Sequence, residues 1–181
     1  MIEPIYMKKQ ICFFVLSLLL LVFNSANAQF NKDDKLLNVG IGVNSYYNGG
    51  IPLSSSFEVG ITDEISVGAG LDYLSHRYNT LGVKYGFSAL YLGARGSYHF
   101  SKLLNLRDEA LDVYGGASLG YRRFTWRDNN NFIGLGSSYG SGLFVGIHVG
   151  ARYYFAPKVG GFFEVGAGGS GNARLGLAFR L

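Results

Sequence analysis

From Leu143 to Phe155 every odd position is apolar: Leu143, Val145, Ile147, Val149, Ala151, Tyr153 and Phe155. The even positions between them include Gly146, His148, Gly150 and Arg152. A period of two marks a strand whose faces meet different surroundings. The same period recurs along the chain. It predicts a first strand at about Leu37 to Val43, a second from Leu53 to Ile61, and a third from Ile65 to Tyr73. A fourth is expected from Tyr85 to Phe100, a fifth from Leu111 to Phe124, and a sixth from Leu143 to Phe155. Phe163, Val165 and Ala167 mark the seventh, and Ala173 to Leu181 forms the eighth. Thr62 to Glu64, Ala156 to Lys158 and Gly168 to Asn172 read as tight turns. Tyr46 to Pro52, His76 to Lys84 and Arg127 to Ser141 read as longer polar loops, and Ser101 to Ala110 as a moderate connection.

Two architectures share this pattern: a soluble sandwich with its apolar face inward, and a membrane barrel with its apolar face toward lipid. The charges decide between them. Glu58, Asp72, Arg95, Asp112, Arg122, Arg152, Glu164, Arg174 and Arg180 all fall on the row of small residues. The bulky row carries almost no charge. A charge facing mid-bilayer costs about 2–4 kcal/mol for Arg or Lys, so the bulky row is the one that meets lipid. Aromatic residues gather at strand ends. Tyr46, Tyr47, Tyr73, Tyr121 and Trp126 are expected at one rim; Tyr98, Phe100, Tyr153, Phe155 and Phe179 at the other. Such girdles sit at the membrane interfaces. The expected fold is all-β: an eight-stranded antiparallel transmembrane up-and-down β-barrel.

Composition agrees. The chain has 181 residues, 15% of them charged, against about 25% in ordinary soluble domains, with Gly 27, Tyr 13 and Phe 14. Met7-Lys8-Lys9, the apolar run from Ile11 to Phe23, and Ala26-Asn27-Ala28 have the form of a cleaved secretory signal. Residues 1–28 are therefore expected to be removed, residues 29–35 to form a polar leader, and residues 36–181 to form the barrel. Cys12, the only cysteine, falls within the signal, so no disulfide or thiolate metal site is expected. The formal charge of +4, of which +3 remains without the signal, comes with no basic cluster, and no nucleic acid is expected as a partner.

The last eight residues, Arg174 to Leu181, fit the terminal assembly signal of outer-membrane barrels: polar Arg174, then Gly176, aromatic Phe179 and apolar Leu181. With the signal peptide and the strand count, the chain resembles the small eight-stranded outer-membrane proteins of the OmpX, OmpA-barrel and OmpW kind. It is most similar to the outer-membrane β-barrel domain family abundant in Bacteroidetes. The resemblance covers about Leu36 to Leu181. It implies a multi-pass outer-membrane protein, monomeric, in contact with lipid and lipopolysaccharide. It also implies delivery by periplasmic chaperones and the barrel assembly machinery.

Candidate chemistry is sparse. Gly166-Ala167-Gly168-Gly169-Ser170-Gly171 matches G-x-G-x-x-G, but no helix or distant acid follows it, and a close-packed hairpin is the better reading. An eight-stranded barrel encloses just enough room for side chains, and buried charges there must pair. The expected lumen ion-pair network comprises Glu58, Asp72, Arg95, Asp112, Arg122, His148, Arg152, Glu164 and Arg174. His148 has Gly146 and Gly150 as neighbours two away, His99 lies beside Ser97 and His76 beside Ser75, but none is accompanied by an acid in an evident catalytic arrangement, and no two share metal-ligand spacing. No catalytic residue, metal or cofactor is assigned, and the protein is not expected to be an enzyme. The expected role is structural or surface interaction with a salt-bridge-plugged lumen. The alternatives are a small passive channel for small or apolar solutes and a lipid-modifying enzyme.

Overall fold

The computed structural model describes residues 30–43, 45–47, 49–80, 83–128 and 140–181. The elements are β1 (Lys35–Gly42), β2 (Leu53–Gly60), β3 (Ile65–Thr80) and β4 (Val83–His99), followed by β5 (Leu111–Asp128), β6 (Gly142–Ala156), β7 (Val159–Ala167) and β8 (Ala173–Arg180). Each strand pairs antiparallel with its neighbour in sequence. β8 closes on β1 with Leu36 opposite Arg180 and Gly42 opposite Arg174. Closure leaves no sheet edge around the waist, which is the condition for a sheet to sit in hydrocarbon.

The pleat is oriented as the charge pattern requires. Val39, Phe57, Val67, Leu71, Leu92, Leu119, Ile147 and Leu177 lie exposed on the outer surface, while Glu58, Asp72, Arg95, Asp112, Arg152 and Glu164 are buried inside. The outward apolar row runs nine residues on β3, Ile65 to Tyr73, and eleven on β5, Leu111 to Tyr121. Tilted strands of roughly 9–11 residues cross a bilayer. Beyond Tyr73 and Tyr121 the same outward row carries Arg77 and Arg123, so the apolar band stops at the tyrosines.

The strands are unequal. β3 to β6 have 15 to 18 residues, whereas β7, β8, β1 and β2 have 8 or 9. The expected loop from His76 to Lys84 is not a loop. β3 and β4 stay paired out to Thr80 opposite Val83. β5 likewise runs on past Phe124 to Asp128, so Arg127 belongs to a strand, and residues 129–139 of the expected third loop lie outside the described residues. The reason is physical. In these extensions the inward row is aromatic or apolar (Leu74, Phe87, Ala89, Phe124), so the polar–apolar contrast that marks a strand fades.

Two of the expected girdle residues also face the other way. Tyr47 is buried, its ring 5.2 Å from Phe87 and 5.4 Å from Phe124. Trp126 lies on the inward side of β5, edge-on to Phe124 at 5.0 Å and to Phe87 at 6.1 Å. Tyr46, Tyr73, Tyr121, Tyr98, Tyr153 and Phe155 are exposed as a girdle requires.

The terminal end of the barrel is more closed than a polar leader suggests. Phe30 is buried, its ring stacked on His99 at 3.5 Å and 5°. Asp33 N–H donates to the Gly60 carbonyl, Gly60 N–H donates to the Asp34 carbonyl, and Arg180 Nε lies 3.7 Å from Asp34. The one apolar residue of the leader thus enters the barrel mouth and anchors residues 30–34 beneath it. In the adjacent turn, the Lys32 N–H and then Lys102 hold the Asp63 carboxyl below its usual range.

Candidate functional site

The lumen is built around Glu58. Its ladder neighbour on β3 is Gly68, and Gly68 in turn faces Arg95 on β4. A Cβ at Gly68 would run into the backbone of Phe57 and Glu58. With only hydrogen there, Arg95 reaches across β3, and its Nε donates to Glu58 Oε1 at 2.8 Å. Replacing Gly68 by valine is expected to lower stability by roughly 1–3 kcal/mol through overpacking, read as a lower urea midpoint of the refolded barrel. An unchanged midpoint would mean that this lane is not tightly packed.

From Glu58 the network spreads in two directions. Toward the loop end, Arg95 forks onto Glu164 with contacts of 3.2 and 2.5 Å. Arg174 then bridges Glu164 at 3.1 Å and Asp72 at 2.7 Å. Asp72 also accepts the backbone N–H and the hydroxyl of Ser170, which turns the tip of the β7–β8 hairpin inward. The glycine-rich motif is thus a hairpin whose close packing is required, since a Cβ at Gly166 would meet the Ile147 carbonyl. Toward the terminal end, Arg152 donates to Asp112 at 2.8 Å, to Asn38 at 3.1 Å and to Glu58 at 3.5 Å. Its guanidinium lies 3.8 Å over the Tyr114 ring, a desolvated cation–π contact. Two of the pairs are direct ladder neighbours: Asp112 with Arg152, and Glu164 with Arg174.

Two histidines join through serines. Ser66 and Ser97 both donate their hydroxyl protons to Glu58 Oε2. His99 Nε2 lies 3.0 Å from Ser66 Oγ, and His148 Nε2 lies 3.0 Å from Ser97 Oγ. A hydroxyl has one proton, and both serines have spent theirs on Glu58, so each Nε2 must be the donor. His99 Nδ1 is 2.8 Å from Asp112 Oδ1, and a carboxylate only accepts, so this nitrogen donates too. The network thus joins four carboxylates (Glu58, Asp72, Asp112, Glu164) to three guanidiniums (Arg95, Arg152, Arg174), with the His99 ring bonded to Asp112. A buried ionic set is tolerable only where its charges pair and its hydrogen bonds are filled.

Ser66, His99 and Asp112 therefore stand at the spacing of a serine-hydrolase relay, which the separations along the chain do not reveal. The donors run the wrong way for that chemistry. Ser66 donates its proton to Glu58, and all three groups are buried, with Phe30 stacked on His99.

Of the nine residues expected in the network, eight come together. Arg122 stands apart: its Nε and Nη2 donate to the Gly140 carbonyl at 3.1 and 2.7 Å, near the loop end. Arg180, also on the inward row, serves Asp34 instead. In the proposed assembly signal, Arg174 belongs to the network, Gly176 packs on Val39 and Gly40, and Leu181 is exposed. Phe179 lies opposite Leu37 on β1. Sequence reasoning missed Ser66, Ser97, Ser170, Asn38 and Tyr114, which lack charge but fill the remaining donors and acceptors. It also missed a hydrophobic layer above the network, formed by the aromatic rings of Tyr47, Phe87, Tyr91 and Phe124 with Leu74 and Ala89. The strand parity could have found that layer. If Asp72, Arg95 and Arg122 point inward, so must Leu74, Tyr91 and Phe124.

No protein-family model matches the chain, and no curated protein matches it. Membership of the Bacteroidetes barrel family is therefore not shown. Among solved structures the barrel is similar to the outer-membrane protein OprG from Pseudomonas aeruginosa, at 13% identity over 86% of this chain and 99% of that one, with a TM-score of 0.62. It is also similar to a de novo designed transmembrane β-barrel, at 15% identity over 84% and 99% of the two chains, with a TM-score of 0.50. At these identities the likeness is one of backbone architecture: the chain has the fold of the eight-stranded transmembrane β-barrels.

Proposed function

We propose that this is an integral outer-membrane protein whose lumen is plugged by its ion-pair network and whose role is structural or surface-interacting. The filled axis carries this reading. Arg95, Arg152 and Arg174 are spanned by carboxylates from β2, β3, β5 and β7, and two spaces beside Arg95 among the described residues are cavities of about 40 and 10 Å³. A single water needs about 10–15 Å³ by this measure, so a few waters fit and a solute does not. The export signal, the apolar belt and the terminal strand support an outer-membrane location reached through periplasmic chaperones and the barrel assembly machinery. In that orientation the terminal end is periplasmic, and the long β3–β6 wall rises outside the cell, where the connections from residues 43–52 and 129–141 meet partners. Lipid and lipopolysaccharide surround a monomer.

Planar-bilayer recording tests the plug. The wild-type barrel is expected to give no resolved conductance steps, and Arg95→Gln is expected to introduce leak events. Ohmic steps in the wild type that respond to Arg95→Gln would instead establish the passive-channel reading. Lipid A mass spectra from cells expressing the barrel are expected to be unchanged; a shifted mass would establish the enzyme reading.

A further inference from the structure

Above the network the lumen changes character. The inward side chains of β3, β4 and β5 become aromatic or apolar, and an open recess of about 420 Å³ lies toward the loop end between Tyr47, Tyr91, Arg122, Phe144 and the turn at Gly168 and Gly169. This lies within the 300–1,000 Å³ typical of small-molecule sites. Tyr47, Tyr91 and Phe144 supply aromatic wall, Val145 stands at its rim, and among the described residues Arg122 is the one cation that lines it. We propose that this recess binds a small amphiphile with a single carboxylate head and an apolar body, the carboxylate meeting Arg122.

The charge of Arg122 selects the ligand. The four lumen carboxylates are committed to Arg95, Arg152, Arg174 and His99. Among the described residues no carboxylate lies within ion-pair distance of Arg122, which bonds the Gly140 carbonyl and faces the phenols of Tyr47 and Tyr91. Those two hydroxyls are bonded to each other at 2.5 Å. A guanidinium matches a carboxylate fork to fork. A cation would be repelled, and a neutral alkane would leave the charge unopposed. A sugar would need more polar partners than tyrosine, phenylalanine and valine walls offer.

The shape of the wall gives the way in. The β5–β6 ladder continues to Arg122 opposite Gly142, but the β6–β7 ladder stops at Ile147 opposite Ala167. The hairpin that follows turns at once, with Gly168 at φ +88°. The wall is therefore low beside Val145, and both Val145 and Gly168 line the recess. An apolar body can enter over this lip from the bilayer, or from water through the open mouth. Beneath, Asp72, Arg174 and Glu164 close the floor, so the ligand is held rather than passed on.

Trp126 is the only tryptophan in the chain and packs on Phe87 and Phe124 beside the recess. It serves as the reporter. The full-length mature barrel in zwitterionic nanodiscs is titrated with 11-bromoundecanoate as the bilayer-borne carboxylate and 4-bromobenzoate as the water-borne one. 11-Bromoundecanol is the neutral control. Saturable quenching is expected with at least one carboxylate, at least tenfold tighter than with the alcohol. The arm that saturates identifies the source. Arg122→Gln is expected to remove that tenfold preference, Arg122→Lys to restore part of it, and Phe144→Ala to weaken carboxylate and alcohol alike. Heat-modified gel migration confirms that each variant is folded. Non-saturating quenching by both carboxylates, or a preference unchanged in Arg122→Gln, would overturn the proposal.

Discussion

Glu58→Leu is expected to remove about 3–5 kcal/mol of stability, the cost of breaking a buried ion pair by deleting one partner. Glu58 is fully buried and accepts from Arg95, Arg152, Ser66 and Ser97. Leucine has similar bulk, so the loss is electrostatic rather than a cavity. It strands two serine hydroxyls and takes a carboxylate partner from both Arg95 and Arg152. Urea unfolding of the barrel in lipid vesicles, followed by Trp126 emission and far-UV circular dichroism, measures it. The double variant Glu58→Leu with Arg95→Met is expected to regain part of the loss. Residues sharing a network couple non-additively, and removing the surplus charge removes the reason for the penalty. A cost below about 1 kcal/mol for Glu58→Leu would sink this account, because that value belongs to ion pairs bathed in water.

Ala94→Arg is expected to cost about 2–4 kcal/mol, the value for an arginine held at the bilayer midplane. Ala94 faces outward on β4 between Ala69 and Leu119, in the middle of the apolar band. Its Cβ is already in hydrocarbon, so arginine adds no clash inside the barrel. The control is Leu53→Arg, exposed on the same surface but level with Tyr73 at the girdle. There the penalty is expected to fall to about 0–1 kcal/mol. Equal costs at the two positions would show that the band between the tyrosine rows is not the hydrocarbon layer.

The inside–outside assignment was legible because it is local. Leu143, Val145 and Ile147 alternate with Phe144, Gly146 and His148 whatever the rest of the chain does, and on β2 to β8 the charged residues of the small row fix which row turns inward. The same rule broke down past Asp72, Tyr91 and Arg122. There the inward positions become Leu74, Phe87 and Phe124, both faces look alike, and a strand reads as a loop. Tyr47 shows a different limit. A tyrosine in a turn suits an interface or a core equally well, and only the partners Tyr91, Phe87 and Phe124 decide.

By itself the sequence determined the number of strands, the face each turns to lipid, and the set of charges confined to the axis, because a pleat of period two and the cost of bare charge in hydrocarbon leave no other arrangement. The tertiary structure alone decided who meets whom. Arg95 finds Glu164 across 69 positions, Arg174 finds Asp72 across 102, and Arg152 finds Asn38 across 114. Those pairings depend on ladder registers and on closure of β8 upon β1. The same closure leaves Arg122 above the network with no carboxylate partner among the described residues, since stagger and unequal strand lengths set the height of each side chain in the lumen.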